Sequence, residues 1–247
     1  MKNLFNRNLL NLIIGELNRS VKYKVLTIGT GLSFVWLIII FFTRKNIDDL
    51  SMIVPLLIFT DAAMMSVILI GAGIFFEKQE GSIRSLLISP VTLNQILIAK
   101  LINSIISSLI SAIIVSVGTV FLTDVKINIG LLLIYVVITV AAHGAIGFAL
   151  AMISKDFNSM LVNFMLFMLI MVMPPILLML NVIPSQYDLL ILISPSEAGS
   201  MLLNSTIGGA DTAVYKIIIS IIYLIAITFI LMKYFVYPRY QKDAVRG

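Results

Sequence analysis

Six long apolar runs govern what this chain can become: residues 25–43, 52–76, 101–122, 129–153, 159–180 and 215–235. A bilayer core about 30 Å thick takes roughly 20 apolar residues in a helix, and each run is of that order. Water is absent from hydrocarbon, so only helices and closed barrels can satisfy their backbone groups there. These runs lack the alternation of a barrel strand. Of the 247 residues, 60% are hydrophobic and 12% charged, more apolar area than a soluble domain of that length can hide. The sequence therefore predicts an all-α membrane protein, with one six-span domain over residues 25–235.

The basic residues orient it. Thirteen of the seventeen Lys and Arg residues fall on the N-terminal segment, the 77–100 connection, the 154–158 turn and the C-terminal end, counting Lys233 at the close of the last run. Arg44, Lys45, Lys126 and Lys216 fall on the opposite side. The positive-inside rule then puts both termini in the cytoplasm, with residues 236–247 as a cytoplasmic tail. The net charge of +5 reads as this orientation signal and not as a nucleic-acid partner. Without cysteine, neither a disulfide framework nor a cysteine metal site is possible.

Residues 1–24 lack the continuous apolar core and small-residue cleavage site of a signal peptide. On a helical wheel Phe5, Leu9, Leu10, Leu12, Ile13, Ile14, Leu17 and Val21 share one broad side. Arg7, Asn8, Asn11, Asn18 and Arg19 gather on the other. The pattern predicts an amphipathic interfacial helix. The outer stretch 181–214 contains LLILISPSEAGSMLL, too apolar for a free loop and too short to span twice. Short re-entrant helices between spans 5 and 6 are expected there.

Between the second and third runs stands FFEKQEGSIRSLLISP, residues 75–90. Gly81 lets the chain turn, Ser82 can cap a short helix over IRSLLI, and Ser89-Pro90 can open the next one. Thr92 with Gln95 has the spacing of a capping box. Charges on one side of the short helix and Leu86, Leu87 and Ile88 on another suit a surface that a partner could grip.

The run EKQEGSIRSLLISPVTLNQILIAK resembles the signature of ABC type-2 exporter permeases: an acidic residue, Gly, Leu-Leu, Pro and a Lys opening the third span. The resemblance extends to the N-terminal amphipathic helix, the six spans and the Pro-containing segment before the last span. It implies a cytoplasmic coupling helix at about 77–90, seated in a groove of a separate ATP-binding subunit. Glu77, Glu80, Gly81, Ser82, Arg84, Leu86, Leu87 and Pro90 are its coupling candidates. Arg84 or Ser85 stands where many members carry a second acidic residue. The resemblance implies two ATPase subunits and a second permease copy or homologue as partners, in a bacterial cytoplasmic membrane. ATP and Mg would be bound by the ATPase, since GxxxxGK[ST] is missing from this chain and no cofactor is expected in it. Gly71-Ala72-Gly73 starts like GxGxxG, but Phe76 takes the third glycine position, so the stretch reads as helix packing.

Asp61, about ten residues into the second span, would cost roughly 2.5–3.5 kcal/mol at the membrane centre. It either contacts cargo or a cation, or is held by a hydroxyl such as Thr60 or Ser66. His143 is the only histidine, too few ligands for a metal, and a buried hydrogen-bonded role is expected. The fifth span carries six methionines from Met160 to Met179, which suit core packing or a repacking apolar surface. Pro174-Pro175 should kink or end it. Because the resemblance puts spans 2 and 5 along the dimer interface, it implies pathway residues Met64, Met65, Phe164, Phe167, Met168 and Met171, which join Asp61 as pathway candidates. The cargo expected is a drug, an antimicrobial peptide, a lipid or a lipid-linked glycan. The alternative is an ion-coupled secondary transporter using Asp61 and His143, although no inverted repeat is visible. An intramembrane enzyme lacks a nucleophile–base pair or HExxH.

Overall fold

The computed structural model describes residues 2–45, 50–51, 53–80, 91–180, 182–184, 187–208 and 212–246. Among them the helices are α1 (Lys2–Lys22), α2 (Val25–Thr43), α3 (Ile53–Phe59), α4 (Met65–Glu80), α5 (Leu93–Leu122) and α6 (Ile129–Ile153). They continue with α7 (Phe157–Met171), α8 (Met173–Met179), α9 (Asp188–Ile191), α10 (Pro195–Asn204), α11 (Val214–Ile230) and α12 (Tyr237–Arg246). π-Turns at Thr60–Met64 and Leu231–Val236 join α3 to α4 and α11 to α12. The described residues contain no strand, only an isolated bridge between Ile127 and Ile207. Among the described residues six helical stretches are long and apolar enough to cross a membrane: Val25–Thr43, Ile53–Glu77, Leu93–Leu122, Ile129–Ile153, Phe157–Leu178 and Val214–Lys242. The chain is a multi-pass membrane protein.

Local chemistry sets most of the helix ends. Thr92 caps α5: its backbone N–H donates to Gln95 Oε1 (2.8 Å) and Gln95 N–H donates to Thr92 Oγ1 (3.4 Å). The third span thus starts at Leu93, eight residues before the expected 101 and after, not at, Pro90. The connection ends correspondingly early and Lys100 belongs to the helix. At the fifth span Ser159 N–H donates to Asp156 Oδ1 (2.7 Å) and Asp156 N–H to Ser159 Oγ (3.0 Å). The backbone bond from Ser159, then its hydroxyl, holds the Asp156 carboxyl below its ordinary value. Pro174 and Pro175 sit in the first turn of α8, where missing N–H groups cost nothing, and the helix breaks at Val172 as expected.

Within the expected tail at 236–247, Tyr237–Arg246 form a helix. Pro238 lies just past the π-turn Leu231–Val236, and Tyr240 from α12 is buried in the core with Phe75, Phe148 and Met160.

The second and fourth spans form the centre. About two-thirds of the second (67%) and over half of the fourth (56%) are buried, against 6% of the fifth and 11% of the first. Small residues allow this approach. A Cβ on Gly147 would lie 2.7 Å from the Val67 carbonyl oxygen and 2.9 Å from its Cα. A Cβ on Gly71 would meet Met160 Sδ at 2.2 Å, the packing role expected for that stretch. Gly147→Ala must push two backbones apart, and we expect a loss of about 1–3 kcal/mol, read as a lower Tm in detergent. Gly73→Ala, with nothing within 4 Å of its Cβ, should leave Tm unchanged. Equal effects would overturn this packing account.

The N-terminal helix keeps part of its wheel, with Leu9, Leu12, Ile13 and Leu17 half-buried and Arg7, Asn11 and Asn18 exposed, but not all of it. Leu10, Ile14 and Val21 are exposed, while Glu16, Arg19 and Ser20 turn toward the bundle and find partners there. Leu10, Ile14 and Val21 are free to meet lipid, and the inward polar groups are satisfied by the protein itself. Lys24, between α1 and α2, adopts a left-handed backbone (φ 58°), where a non-glycine side chain is strained.

Candidate functional site

At the end of the bundle that carries both termini, four charges are enclosed together. Glu16 and Arg19 lie one turn apart on α1, Glu77 is near the end of α4, and Lys100 is two turns into α5. Glu77 is fully buried and accepts from both Lys100 Nζ and Arg19 Nη1. Lys100, 5% exposed, also donates to Glu16 Oε1 at 2.8 Å. Arg19 Nη1 lies 4.0 Å from that same oxygen. Two cations and two carboxylates balance, which is what makes charge tolerable in an apolar interior. Tyr240 of α12 is within electrostatic range of Glu77 and Glu16. One residue on each of α4 and α5 therefore ties the N-terminal helix to the second and third spans.

This geometry changes several expectations. Glu77 points into the bundle and is not part of an exposed cluster. Arg19 belongs to the inward side of α1. Glu80 is the last residue of α4, and Gly81, Ser82, Arg84, Leu86, Leu87 and Pro90 lie outside the described residues. Glu16, a single acid among asparagines, carries no periodic signal in the sequence. Lys100 is the Lys of the family resemblance, and the fold alone gives it Glu16 and Glu77 as partners.

Asp61 sits in the π-turn of the second span, 3% exposed. Its Oδ2 accepts from Ser33 Oγ of the first span (2.7 Å) and from Ser111 Oγ of the third. The hydroxyls named from sequence are spent elsewhere: Thr60 donates to Leu56 O (2.8 Å) and Ser66 to Ala63 O (2.6 Å). Ser108 Oγ donates to Ala62 O (2.8 Å), satisfying a carbonyl inside the π-turn. Asp61 is thus enclosed by the first three spans of one chain. Asp61→Asn keeps an acceptor oxygen for both serines and should fold normally. Asp61→Leu strands both hydroxyls and should cost about 1–3 kcal/mol. Thermal unfolding in detergent separates the two, and equal Tm values would remove the hydroxyl clasp as a stabilising feature.

His143 is fully buried at mid-span. Its Nδ1 lies 2.8 Å from the Thr139 carbonyl, which can only accept, so Nδ1 carries a proton. The ring meets Phe59 and Phe167 edge-on, with centroids 5.2 and 6.4 Å away. The apolar segment before the last span packs inward at this level: α10 buries Pro195, Ser196, Glu197, Ala198, Gly199, Leu202 and Leu203. A Cβ on Gly199 would lie 2.6 Å from Thr139 Cγ2. Ser194 caps α10 through Ser196 N–H (3.2 Å) and donates to Met171 O (2.6 Å). Glu197, in the first turn of α10, gains from the positive end of the helix dipole. The sequence reading gave it no role.

The pathway candidates divide. Met64 is buried in the core, and Phe164, Phe167, Met168 and Met171 are half-buried on the inward side of α7. Met65 is also half-buried. The outward face of α7 is Val162, Met165, Leu166, Leu169 and Ile170, all more than half exposed.

The family model described as ABC-2 type transporter matches residues 14–207, more than half of the chain. No curated protein matches it.

Proposed function

The chain belongs to the ABC-2 type transporter family, and from that premise we propose that it is the permease subunit of an ATP-driven exporter. Two copies, or one with a homologue, join two ATPase subunits that bind ATP and Mg. Both termini and the 81–92 connection lie in the cytoplasm of a bacterial cell, as the basic residues favour.

The buried pairing of Glu77 with Lys100 and Arg19 carries this reading. The second span ends at Glu80, and the coupling residues Glu80, Gly81, Ser82, Arg84, Leu86, Leu87 and Pro90 follow at once. A push on that segment by a closing ATPase acts through Glu77 on the third span and on α1 together. Glu77 transmits the motion and does not dock. The cargo is amphipathic or apolar, because the outward face of the fifth span is uncharged and built of Met, Leu, Ile and Val. Phe164, Phe167, Met168 and Met171 back that face, with Met64 and Met65 beside them on the second span. Asp61 holds the π-turn in register behind them.

Proteoliposomes holding the chain with an ABC ATPase should move an apolar fluorescent dye only with ATP, and should ignore an imposed ion gradient. Movement driven by the gradient alone, without the ATPase, would overturn the proposal in favour of a secondary transporter.

A further inference from the structure

A groove of about 540 Å³ runs along the outside of the bundle where the start of the third span meets the end of the sixth. Ile98, Phe229 and Met232 give it an apolar length, and Asn94, Lys233 and Tyr237 give it a polar end. Among the described residues no acidic one lines it. The Lys233 ammonium lies 5.1 Å from the Phe229 ring and 5.2 Å from the Tyr234 ring. No described carboxylate pairs with it, so its charge is steered by aromatic faces and left available to an anion. The contrast with Lys100, neutralised by Glu16 and Glu77 at the same end of the bundle, is direct. Lys233 lies in the π-turn Leu231–Val236, whose last residue, Val236, is fully buried.

We propose that this groove holds one anionic phospholipid, its acyl chain along Ile98, Phe229 and Met232 and its phosphate at Lys233, Asn94 and Tyr237. Three observations select that occupant. The cation is single, unneutralised and sited at a span end, where a headgroup lies. The apolar walls are exposed, Phe229 at 57% and Ile98 at 39%, on a surface that faces acyl chains. Basic pockets between spans are the known physical solution for anionic headgroups. Because Asn94 is in the first turn of α5, a lipid bound there also braces the helix that follows the coupling segment.

The full chain in its assembled complex is titrated with phosphatidylglycerol or phosphatidylcholine and the retained lipid is counted by native mass spectrometry. One phosphatidylglycerol per chain should be retained in preference to phosphatidylcholine. Lys233→Gln should bind it about fivefold more weakly, and Lys233→Arg should restore binding. Ile98→Trp, which fills the apolar length, should reduce retention with the charge intact. Arg239→Gln, a basic residue of α12 that does not line the groove, should change nothing. Equal retention of the two lipids overturns the proposal, as does indifference to Lys233→Gln. So would cross-linking through Ile98→Cys that joins two chains, since the groove would then be covered by a second copy.

Discussion

Glu77→Gln should destabilise the protein by about 3–5 kcal/mol, the range for removing one partner of a buried ion pair. The substitution leaves Lys100, 5% exposed, and Arg19 sharing a single carboxylate, Glu16. An uncompensated cation then remains in an apolar surround, where desolvation outweighs what one shared acid returns. On the scale for a chain of this size, Tm should fall by about 10 °C. α1 should also exchange its amide hydrogens faster, because Arg19–Glu77 and Lys100–Glu16 are its charged ties to the bundle. Glu77→Gln combined with Lys100→Met restores the charge balance and should recover most of the loss. A double-mutant cycle measures that coupling directly. A single mutant within 0.5 kcal/mol of the parent would mean that the four charges are spectators.

The second large effect concerns attachment. Leu86 and Leu87 are proposed to fill the ATPase groove, each contributing about 1.5–3 kcal/mol if fully buried there. Changing both to Ala should therefore cut ATPase retention at least about 100-fold. Neutralising Glu80 and Arg84 removes rim charges worth about 0–1 kcal/mol apiece and should be far milder. Transport should disappear in the leucine double mutant while the six spans stay inserted, since the lesion lies outside the bilayer. Co-purification of the ATPase and dye efflux are the two readouts. Persistence of both would sink the coupling role of residues 81–90. The Glu77 result is independent of it, because stability of the isolated chain is measured without the ATPase.

The two experiments separate a fold effect from a partner effect. Glu77→Gln alters the protein alone, and its transport defect should scale with the loosening of α1. The leucine pair should leave Tm untouched. If both variants lowered Tm alike, the 81–90 segment would belong to the fold of this chain and not to a partner's groove.

Much of this protein was legible in its residues because the causes are local. Six runs near 20 apolar residues oblige six helices, since the bilayer's thickness and the need to satisfy each backbone group act on every segment separately. Thr92 with Gln95 announced its capping box, and Pro174-Pro175 their break, through neighbours three or fewer residues away. The family's signature around Gly81 was likewise contiguous. Where local signals compete, the boundary is not legible: Asn94, Gln95 and Lys100 dilute the apolar count over the first turns of α5.

Tertiary structure alone decided which polar groups meet. Arg19 and Glu77 are 58 positions apart, Lys100 and Glu16 are 84, and Asp61 reaches Ser33 and Ser111 across 28 and 50. No periodicity encodes such pairs. An isolated charge in an apolar span states only that it needs a partner, because burial without one costs several kcal/mol. The choice of partner follows from how closely the spans can approach, which Gly147 against Val67 and Gly71 against Met160 determine. The same packing set Glu16, Arg19 and Ser20 on the inward side of α1, beside half-buried Leu9, Leu12, Ile13 and Leu17.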